Sequence, residues 1–453
     1  MHACCVLVAA TAALVLAAQT PALPLRPCEV RTVRALCGTL RVPENRPRPN
    51  GKKIGLNVVV LPALRKPAAP DAFTFIAGGP GGVATDNTDW VATRFAALRK
   101  TRDVLLVDQR GTGGSNALAC LPPTAPLETD AQKLAYARSC LRSAGGDVAQ
   151  YGTRAAMDDL DAVRAALGYR QLDLYGGSYG ATAVQVYVKR HPASVRTATV
   201  LGATALAVPF YSRYAVNAQH ALADVERRCD ADPVCKALYH GWRKTLERLI
   251  PAWNAKPVRT RTGERITGTG LAGLVQKMLV DAATAAQIPA AIASAGRGGY
   301  DLLARQIEPG QSAVNVMYYS IWCNEPWVGL DAKGPWHTDF DALTRLAIAQ
   351  DRAVCAYIPR RAEPASAWTM PRSQVPLLAI EGGADPQDPI GNLPRLRQAF
   401  PRSHAIVVPH YGHAFDPQGC LAGIVTRFVE HGTVAGLDTA CVAKLRPPAF
   451  ALD

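Results

Sequence analysis

The first part of the chain alternates short apolar runs with longer segments whose apolar residues recur every three or four positions. Residues 72–77 (AFTFIA) and 104–107 (VLLV) are continuous apolar runs, and each leads into a glycine-rich segment. Such alternation predicts a parallel sheet with helices on both faces. The predicted strands are two within 36–62 and others at 72–77, 104–107, 172–175 and 196–201, and the predicted helices are at 154–167 and 179–190.

The pattern changes after about residue 206. From there to about 371 the chain is helical in pattern, rich in alanine, and has few apolar runs of the strand type. The strand pattern then returns, with strands at 375–383 and 404–409 and helices at 391–400 and 419–431. We therefore predict a sheet interrupted by a helical insertion. The expected divisions are a leading segment at about 1–25, a first core part at 26–205, a helical cap at 206–371 and a second core part at 372–453.

The N-terminal segment is apolar from Val6 to Ala18. A run of this length is too short to span a bilayer comfortably, and it ends in small residues, as secretory signal peptides do. We predict cleavage near Ala18 or a few residues later and a secreted or periplasmic mature protein. A buried N-terminal helix is the alternative. No later segment is long and apolar enough for stable membrane insertion.

Ten cysteines follow this segment, and they fall into five consecutive pairs. No C-x-x-C motif occurs among them, and an even count in an exported chain indicates disulfides rather than a zinc ribbon. Free buried thiols are the alternative. Each neighbouring pair would close a small loop, so the expected disulfides are Cys28–Cys37, Cys120–Cys140, Cys229–Cys235, Cys323–Cys355 and Cys420–Cys441.

The formal net charge is +14, which raises the possibility of a nucleic-acid partner. The basic residues are scattered, however, and no basic stripe is interleaved with aromatic residues as in nucleic-acid-binding surfaces. An arginine-rich surface on an exported protein explains the charge better, and no nucleic-acid partner is expected.

The candidate chemistry begins at Gly176-Gly177-Ser178-Tyr179-Gly180, a G-x-S-x-G motif between a predicted strand and a predicted helix. A serine hydroxyl becomes a good nucleophile only when a base takes its proton, so it must stand clear of its own backbone. A very sharp strand-to-helix turn achieves this, and the crowding that results requires glycine neighbours. An ordinary glycine-rich turn is the alternative.

Two later loops supply an acid and a base. Nucleophile turns of this type use the chain order serine, acid, histidine. Asp385 follows the strand at 375–383, and His413 follows the strand at 404–409. Both lie beyond carboxyl ends of strands, where parallel sheets place their sites. His413 would accept the Ser178 proton, and Asp385 would orient the imidazole and stabilise its cation.

Nearby residues allow other interpretations. Asp388 is an alternative acid. His410 and His413 have the i, i+3 spacing of a metal pair, but no carboxylate or cysteine cluster completes such a site. Residues 268–273 (GTGLAG) match G-x-G-x-x-G formally, yet no strand precedes them and no acidic residue lies about twenty positions later. They are better explained as the start of a helix in the insertion. No metal or organic cofactor is implied.

The negative charge that develops during acyl transfer needs two N–H donors. One candidate is the amide of Tyr179, the residue after the nucleophile. The other lies in the loop after the strand at 72–77, which reads GGPGG at 78–82. Glycines let the backbone approach a substrate closely, and we favour the amide of Gly79. A plain surface turn is the alternative.

Together these motifs resemble a known family. In order, GGPGG, DQRGTGGS, GGSYG, GGADPQDP and YGH resemble the proline iminopeptidase and tripeptidyl aminopeptidase group of α/β-hydrolases, from about residue 36 to the C-terminus. The cysteines flanking the last helix are similar to those of the secreted tripeptidyl aminopeptidases. The resemblance implies an α/β-hydrolase fold with a helical cap that sets specificity, and catalysis by Ser178, Asp385 and His413. The family's histidine before GGPG is Ala77 here, and no role is assigned to that position.

Two acidic positions stay open at this point. Glu325 lies among aromatic residues in YYSIWCNEPW, where a buried carboxylate would need a cation, and the ammonium group of a peptide could supply it. A structural salt bridge is the alternative for Glu325. Asp108 and Arg110 in DQRGTGGS could line the pocket, but we expect them to pair with each other and brace two loops.

The sequence thus predicts an exported serine hydrolase that removes residues from the free N-terminus of short peptides. Whether one residue, proline or a tripeptide is released stays open, as does the oligomeric state. The first alternative is a carboxylesterase or lipase-like enzyme, because the same three residues serve esters. The second is a non-catalytic binding protein that retains the fold, which intact serine, acid and histidine positions disfavour.

Overall fold

A nine-stranded sheet forms the centre of the computed structural model, which describes residues 23–118, 120, 123, 129–307, 316–415 and 419–451. Most of the predicted signal segment, residues 1–22, lies outside the described residues. The strands in chain order are β1 (Arg26–Val30), β2 (Val33–Pro43), β3 (Lys53–Leu61), β4 (Asp71–Ile76), β5 (Asp103–Val107), β6 (Gln171–Gly177), β7 (Val195–Leu201), β8 (Val258–Arg259), β9 (Arg265–Ile266), β10 (Leu377–Gly382) and β11 (Ser403–Val408).

The sheet order is β1-β2-β3-β5-β4-β6-β7-β10-β11, and β8 and β9 form a separate small hairpin. The pairs β1/β2, β2/β3 and β3/β5 are antiparallel. All pairs from β5 to β11 are parallel. The carboxyl ends of the parallel strands therefore meet at one edge, which is where open α/β sheets bind their ligands.

Helices cover both faces of the sheet, as the strand and helix alternation predicts. Alternate residues of β3 show the two faces: Val58 and Val60 pack into one apolar cluster, and Val59 and Leu61 pack into another. Helices close both clusters. Those of the first cluster are at Thr153–Ala166, Tyr179–Arg190, Val316–Asn324 and Leu393–Ala399, and those of the second are at Thr88–Arg94 and Cys420–His431. The helices of this core are α1 (Thr88–Arg94), α2 (Asp130–Ser143), α3 (Thr153–Ala166), α4 (Tyr179–Arg190), α14 (Leu393–Ala399) and α15 (Cys420–His431).

The segment between β7 and β10 is mostly helical and has an apolar cluster of its own, which includes buried Trp242 and Trp253. The small hairpin of β8 and β9 also belongs to it. Its helices are α5 (Phe210–Ala231), α6 (Pro233–Leu238), α7 (Trp242–Ala255), α8 (Gly268–Leu279), α9 (Ala282–Ala285), α10 (Ile288–Gly296), α11 (Asp301–Ala304), α12 (Val316–Asn324) and α13 (Asp341–Cys355).

Five disulfides join the neighbouring cysteines as the sequence predicts: Cys28–Cys37, Cys120–Cys140, Cys229–Cys235, Cys323–Cys355 and Cys420–Cys441. Three of them tie segments of the core, and two tie the helices of the insertion. Each closes a loop of the unfolded chain and so lowers that chain's entropy. Among the described residues, no helix is both long enough and apolar enough to cross a membrane.

Strand β1 and helix α2 are among the elements that were not predicted. Strand β1 is short and mostly exposed, because it pairs only with β2 at the sheet edge, and its sequence RPCEV carries little apolar pattern. Helix α2 starts with a capping box in which Thr129 and Gln132 exchange hydrogen bonds. The T-x-x-Q spacing is a local signal that could have revealed this helix. The fold also takes in Leu23, which is buried, slightly before the expected start at residue 26.

Candidate active site

Ser178 occupies the tight turn between β6, which ends at Gly177, and α4, which begins at Tyr179. Its backbone has φ 55° and ψ −129°. A positive φ is unfavourable for a residue with a side chain and persists only where the surrounding structure enforces it. The serine is half-buried, and it lines a cavity at the carboxyl edge of the sheet.

The glycines around Ser178 are required by close backbone contacts. A Cβ on Gly176 would lie 2.3 Å from the carbonyl oxygen of Gly180, and a Cβ on Gly180 would lie 2.3 Å from that of Ile76. These separations are far below van der Waals contact. A Cβ on Gly177 would meet only ordinary contacts, the nearest at 3.8 Å from Leu201. Steric crowding thus explains the first and last glycines of G-x-S-x-G. The second position, Gly177, has room for a side chain.

His413 and Asp385 come together from the loops after β11 and β10. The Nδ1 atom of His413 lies 2.8 Å from Oδ2 of Asp385, and the Asp385 side chain is fully buried. The other carboxylate oxygen of Asp385 accepts hydrogen bonds from the amides of Gln387 and Asp388, at 2.7 and 2.9 Å. The Nε2 atom of His413 is buried and bonds to no described residue. His413 and Ser178 line the same cavity.

The charge of Asp385 controls the imidazole. Burial alone would lower the pKa of His413, but the charge of Asp385 and the hydrogen bond to it outweigh burial and raise this pKa to about 9. Asp388, the alternative acid, is farther away, with Oδ2 at 4.0 Å from Nδ1 of His413. Its Oδ1 accepts a hydrogen bond from Thr204 at 2.8 Å. Burial raises the pKa of Asp388 to about 7, partly opposed by the charge of His413.

Two residues of this region escaped the sequence analysis. Gly202, just after β7, has φ +50°, and a Cβ there would lie 2.9 Å from the imidazole of His413. Glu381 at the end of β10 is fully buried, and its carboxyl oxygens accept from the amide of Ala203 at 3.0 and 3.2 Å. Burial, together with the charge of Asp385, holds the pKa of Glu381 well above its usual value. The acidic residue within the apolar run LLAIEG could have pointed to Glu381. No local sequence pattern distinguishes Gly202 from other glycines.

The cavity beside Ser178 has a volume of about 440 Å³. Aromatic residues form much of its wall, while Asn87 and Asp281 supply polar groups. The complete lining is Phe75, Gly78, Asn87, Trp90, Tyr175, Gly177, Ser178, Leu201, Asp281, His413, Ala414 and Phe415.

The two expected N–H donors belong to α4 and to the GGPGG loop. Tyr179 is the first residue of α4, so its amide has no acceptor within the helix. Gly78, at the start of the GGPGG loop, lines the cavity, and a Cβ there would lie 3.3 Å from Cβ of Ser178. Gly79 follows with φ +117°, a conformation open to glycine. The loop therefore brings the backbone next to the serine.

Glu325 does not reach the cavity. It is buried and accepts hydrogen bonds from the amide and hydroxyl of Thr153, at 2.8 and 2.7 Å, and from the indole of Trp327 at 2.8 Å. The guanidinium of Arg361 lies 3.4 Å away. The structure therefore gives no support to the predicted amine-binding role of Glu325. The structural alternative describes it, because protein donors already surround its carboxylate.

The expected pair of Asp108 and Arg110 does not form either. Arg110 is fully buried and pairs with Asp159, with N–O distances of 2.6 and 2.8 Å. Asp108 instead accepts from Asn57, from the amide and hydroxyl of Thr85, and from the amide of Gly114. Both residues do brace loops, but through partners that are distant in sequence. His410 pairs with Asp224 of α5 at 3.0 Å, and the described residues contain no group of His, Cys, Asp and Glu side chains that could hold a metal ion.

Comparison with known proteins relates this arrangement to a known fold. A model described as alpha/beta hydrolase fold matches residues 71–228, which contain β4 to α4 and the serine turn. A second model, described as TAP-like protein, matches residues 342–441, which contain the loops of Asp385 and His413. The chain therefore has the α/β-hydrolase fold. The predicted resemblance and the predicted fold class are thus confirmed.

Curated relatives of this α/β hydrolase match it over part of their length. The tripeptidyl aminopeptidase of Streptomyces coelicolor is 32% identical over 184 residues, which are 36% of this chain and 34% of the relative. The serine protease Hip1 of Mycobacterium tuberculosis is 29% identical over 191 residues, 37% and 36% of the two chains. The chain thus spans about a third of the length of the curated relatives it matches. Among solved structures, the proline iminopeptidase of Mycobacterium smegmatis superposes with a TM-score of 0.42 at 16% identity, over 87% of this chain and 98% of the other.

Proposed function

We propose that this α/β hydrolase is an exported serine peptidase that removes residues from the free N-terminus of short peptides. The observation that carries the proposal is the meeting of three groups. Ser178, held at a positive φ, shares one cavity with His413, whose Nδ1 bonds the buried carboxylate of Asp385. Peptidase names among the relatives, a tripeptidyl aminopeptidase and a serine protease, support the choice of peptides.

In the proposed reaction, Nε2 of neutral His413 takes the hydroxyl proton of Ser178 as the oxygen attacks the scissile carbonyl carbon. The amides of Tyr179 and Gly79 would donate to the carbonyl oxygen as it becomes negatively charged. His413 then gives its proton to the leaving amine, the C–N bond breaks, and an acyl-enzyme ester remains on Ser178. Water then loses a proton to His413 and attacks the ester carbonyl. The C–O bond to Ser178 breaks, His413 returns the proton to the serine oxygen, and the acid is released.

Asp385 supports these steps through the other ring nitrogen of His413. Its hydrogen bond fixes the proton on Nδ1, so that Nε2 is the basic atom, and its charge stabilises the imidazolium that forms at each transfer. Because Asp385 accepts two backbone amides as well, its own position is fixed. Asp388 would act only on the electrostatics of the site.

Export and a gated entry complete the proposal. Five disulfides fit an oxidising compartment, and the apolar segment from Val6 to Ala18 would be the export signal. The helical segment between β7 and β10 would act as a cap, at about residues 206–371. It contributes Asp281 to the cavity wall, so it stands where it can select short peptides over folded proteins.

The reactive serine can be tested directly. A fluorophosphonate probe should label the wild-type protein, and Ser178→Ala should abolish labelling without loss of thermal stability. Absence of labelling in the folded wild type would contradict a hydrolase and favour a binding protein.

The class of substrate needs a separate assay. Aminoacyl- and tripeptidyl-anilides should be hydrolysed with higher kcat/KM than short acyl esters of the same leaving-group acidity. N-acetylation of a good peptide should suppress its cleavage. Efficient ester hydrolysis with no peptide cleavage would make the protein a carboxylesterase instead.

A further inference from the structure

The cavity beside Ser178 differs in charge from the rest of the protein. The chain has 50 Lys and Arg against 36 Asp and Glu. None of the twelve residues that line the cavity is Lys or Arg, whereas Asp281 places a carboxylate there. His413 also lines the cavity, but the buried carboxylate of Asp385 balances its cationic form, so the carboxylate of Asp281 is left to attract a positively charged ligand.

The position of Asp281 is fixed from two sides. Its Oδ1 accepts hydrogen bonds from the amides of Ala283 and Thr284, at 2.8 and 3.2 Å, and so caps α9. Its backbone bridges to Ala414, the residue after His413, and the Ala414 amide donates to Val280 at 2.8 Å. The segment that carries Asp281 and the loop that carries His413 therefore hold each other in place. Among described residues, no hydrogen bond or ion pair involves Oδ2 of Asp281.

Neighbouring groups suit a cation as well. Asn87 uses its amide nitrogen to donate to the carbonyl of Val83 at 2.9 Å, which leaves its side-chain oxygen as the group that can accept from a ligand. Trp90 lines the same cavity beside Phe75, with ring centroids 5.6 Å apart. Aromatic faces attract ammonium and guanidinium groups, most strongly those of tryptophan.

We infer that this cavity is a cation-binding subsite in which Asp281 is the counter-charge for an ammonium or guanidinium group on the acyl part of the substrate. The inference rests on the proposed function insofar as the substrate is a peptide. Two sources of such a cation share this chemistry: the free N-terminus, and a lysine or arginine side chain. Asp281 thereby becomes the residue that sets specificity, in place of buried Glu325.

The test variant is Asp281→Asn, which removes the charge but keeps an oxygen that can cap α9. Asp232→Asn is its matched control, because Oδ1 of Asp232 caps α6 through the amides of Val234 and Cys235 at 2.9 and 3.0 Å. Asp232 does not line the cavity. Thermal unfolding of both variants checks that they remain folded.

The assay compares benzyl esters in two arms. One arm takes the ratio of kcat/KM for alanine and N-acetylalanine esters; the other takes the ratio for N-acetyllysine and N-acetylnorleucine esters. Asp281→Asn should lower the ratio in one arm by roughly 10- to 100-fold, the range expected for a charge-assisted contact. Asp232→Asn should leave both ratios as in the wild type. The arm that responds identifies the source of the cation.

Unchanged ratios in Asp281→Asn, or a wild type that prefers the neutral ester in both arms, would overturn the inference. The use of esters keeps this outcome separate from the proposed function. If the kcat/KM ratio falls in Asp281→Asn but the wild type cleaves no peptide, the peptidase function is contradicted and the cation subsite is supported. If the wild type cleaves peptides but the ratios are unchanged in Asp281→Asn, the peptidase function is supported and the cation subsite is contradicted. If Asp281→Asn unfolds, the test is competitive inhibition of the wild type by benzylammonium and by benzyl alcohol. A cation subsite should bind benzylammonium at least tenfold more tightly than benzyl alcohol, and equal inhibition constants would overturn the inference.

Discussion

The turn that carries Ser178 and the loops that carry Asp385 and His413 border one cavity, but different forces shape them. The turn is set by sterics: Gly176 and Gly180 allow backbone contacts that any Cβ would block. The loops are set by charge and hydrogen bonding, through the 2.8 Å contact of His413 with Asp385 and the amides that hold that carboxylate. We therefore expect substitutions of the turn glycines to lower stability, and substitutions in the loops to lower activity while the protein stays folded.

The largest expected effect is on activity in the loop region. Asp385→Asn should lower kcat by about 10⁴-fold, because an amide cannot hold the imidazole in the tautomer that leaves Nε2 basic. Asp388→Asn, the comparison variant, should lower kcat by less than about tenfold, since its carboxylate is 4.0 Å from His413. Steady-state kinetics on one substrate measure both. Equal losses in the two variants would show that Asp388 shares the role of the acid.

The next effect is on stability in the turn. Gly180→Ala should lower the free energy of unfolding by about 2–3 kcal/mol, because its Cβ would press on the carbonyl of Ile76. Gly177→Ala should cost less than about 1 kcal/mol, since its Cβ meets only ordinary contacts. Denaturant unfolding measures the difference. A Gly180 variant as stable as the wild type would mean that the turn relaxes more easily than its contacts indicate.

Gly202 joins the two regions, because it is a steric requirement within the loop region. Gly202→Ala should lower kcat/KM by roughly 100-fold, since the added methyl group would displace the imidazole of His413 from the serine. Gly168→Ala is the matched control: Gly168 also has positive φ, at +78°, but no atom lies within 4 Å of a Cβ there. Both variants carry the strain of a side chain at positive φ, so a difference in their kcat/KM would come from the contact of the Gly202 methyl group with His413. Similar kcat/KM values in Gly202→Ala and Gly168→Ala would show that the methyl group does not displace the imidazole.

How much the sequence could predict follows from the same division. Strands and the serine turn were predictable because their signals are local: apolar runs, helical spacing and a G-x-S-x-G motif between them. Asp385 and His413 were found because each follows a strand. The partners of Glu325 and Arg110 were not, since Thr153, Arg361 and Asp159 reach them only in the folded chain. Asp281 enters the cavity from the helical insertion, and no motif marks it.

The smallest effect expected is a shift in pH dependence, which separates charge from geometry within the loop region. His413 must be neutral to accept a proton, and its pKa is raised to about 9, so kcat/KM should rise between pH 7 and pH 8. Neutral Asp385→Asn should move this rise to lower pH, because burial then acts on the imidazole with less opposition from charge.

Stability should run in the opposite direction over the same range. A histidine whose pKa is raised by folding stabilises the protein fully below its unfolded value near about 6.5, and this contribution is lost as pH rises through about 9. Asp388, with a pKa of about 7, and buried Glu381 titrate beside the pair, so Asp388→Asn is needed as a background. If the pH profile of kcat/KM in Asp385→Asn matched that of the wild type, the charge of Asp385 would not be what tunes His413, and geometry alone would explain the site.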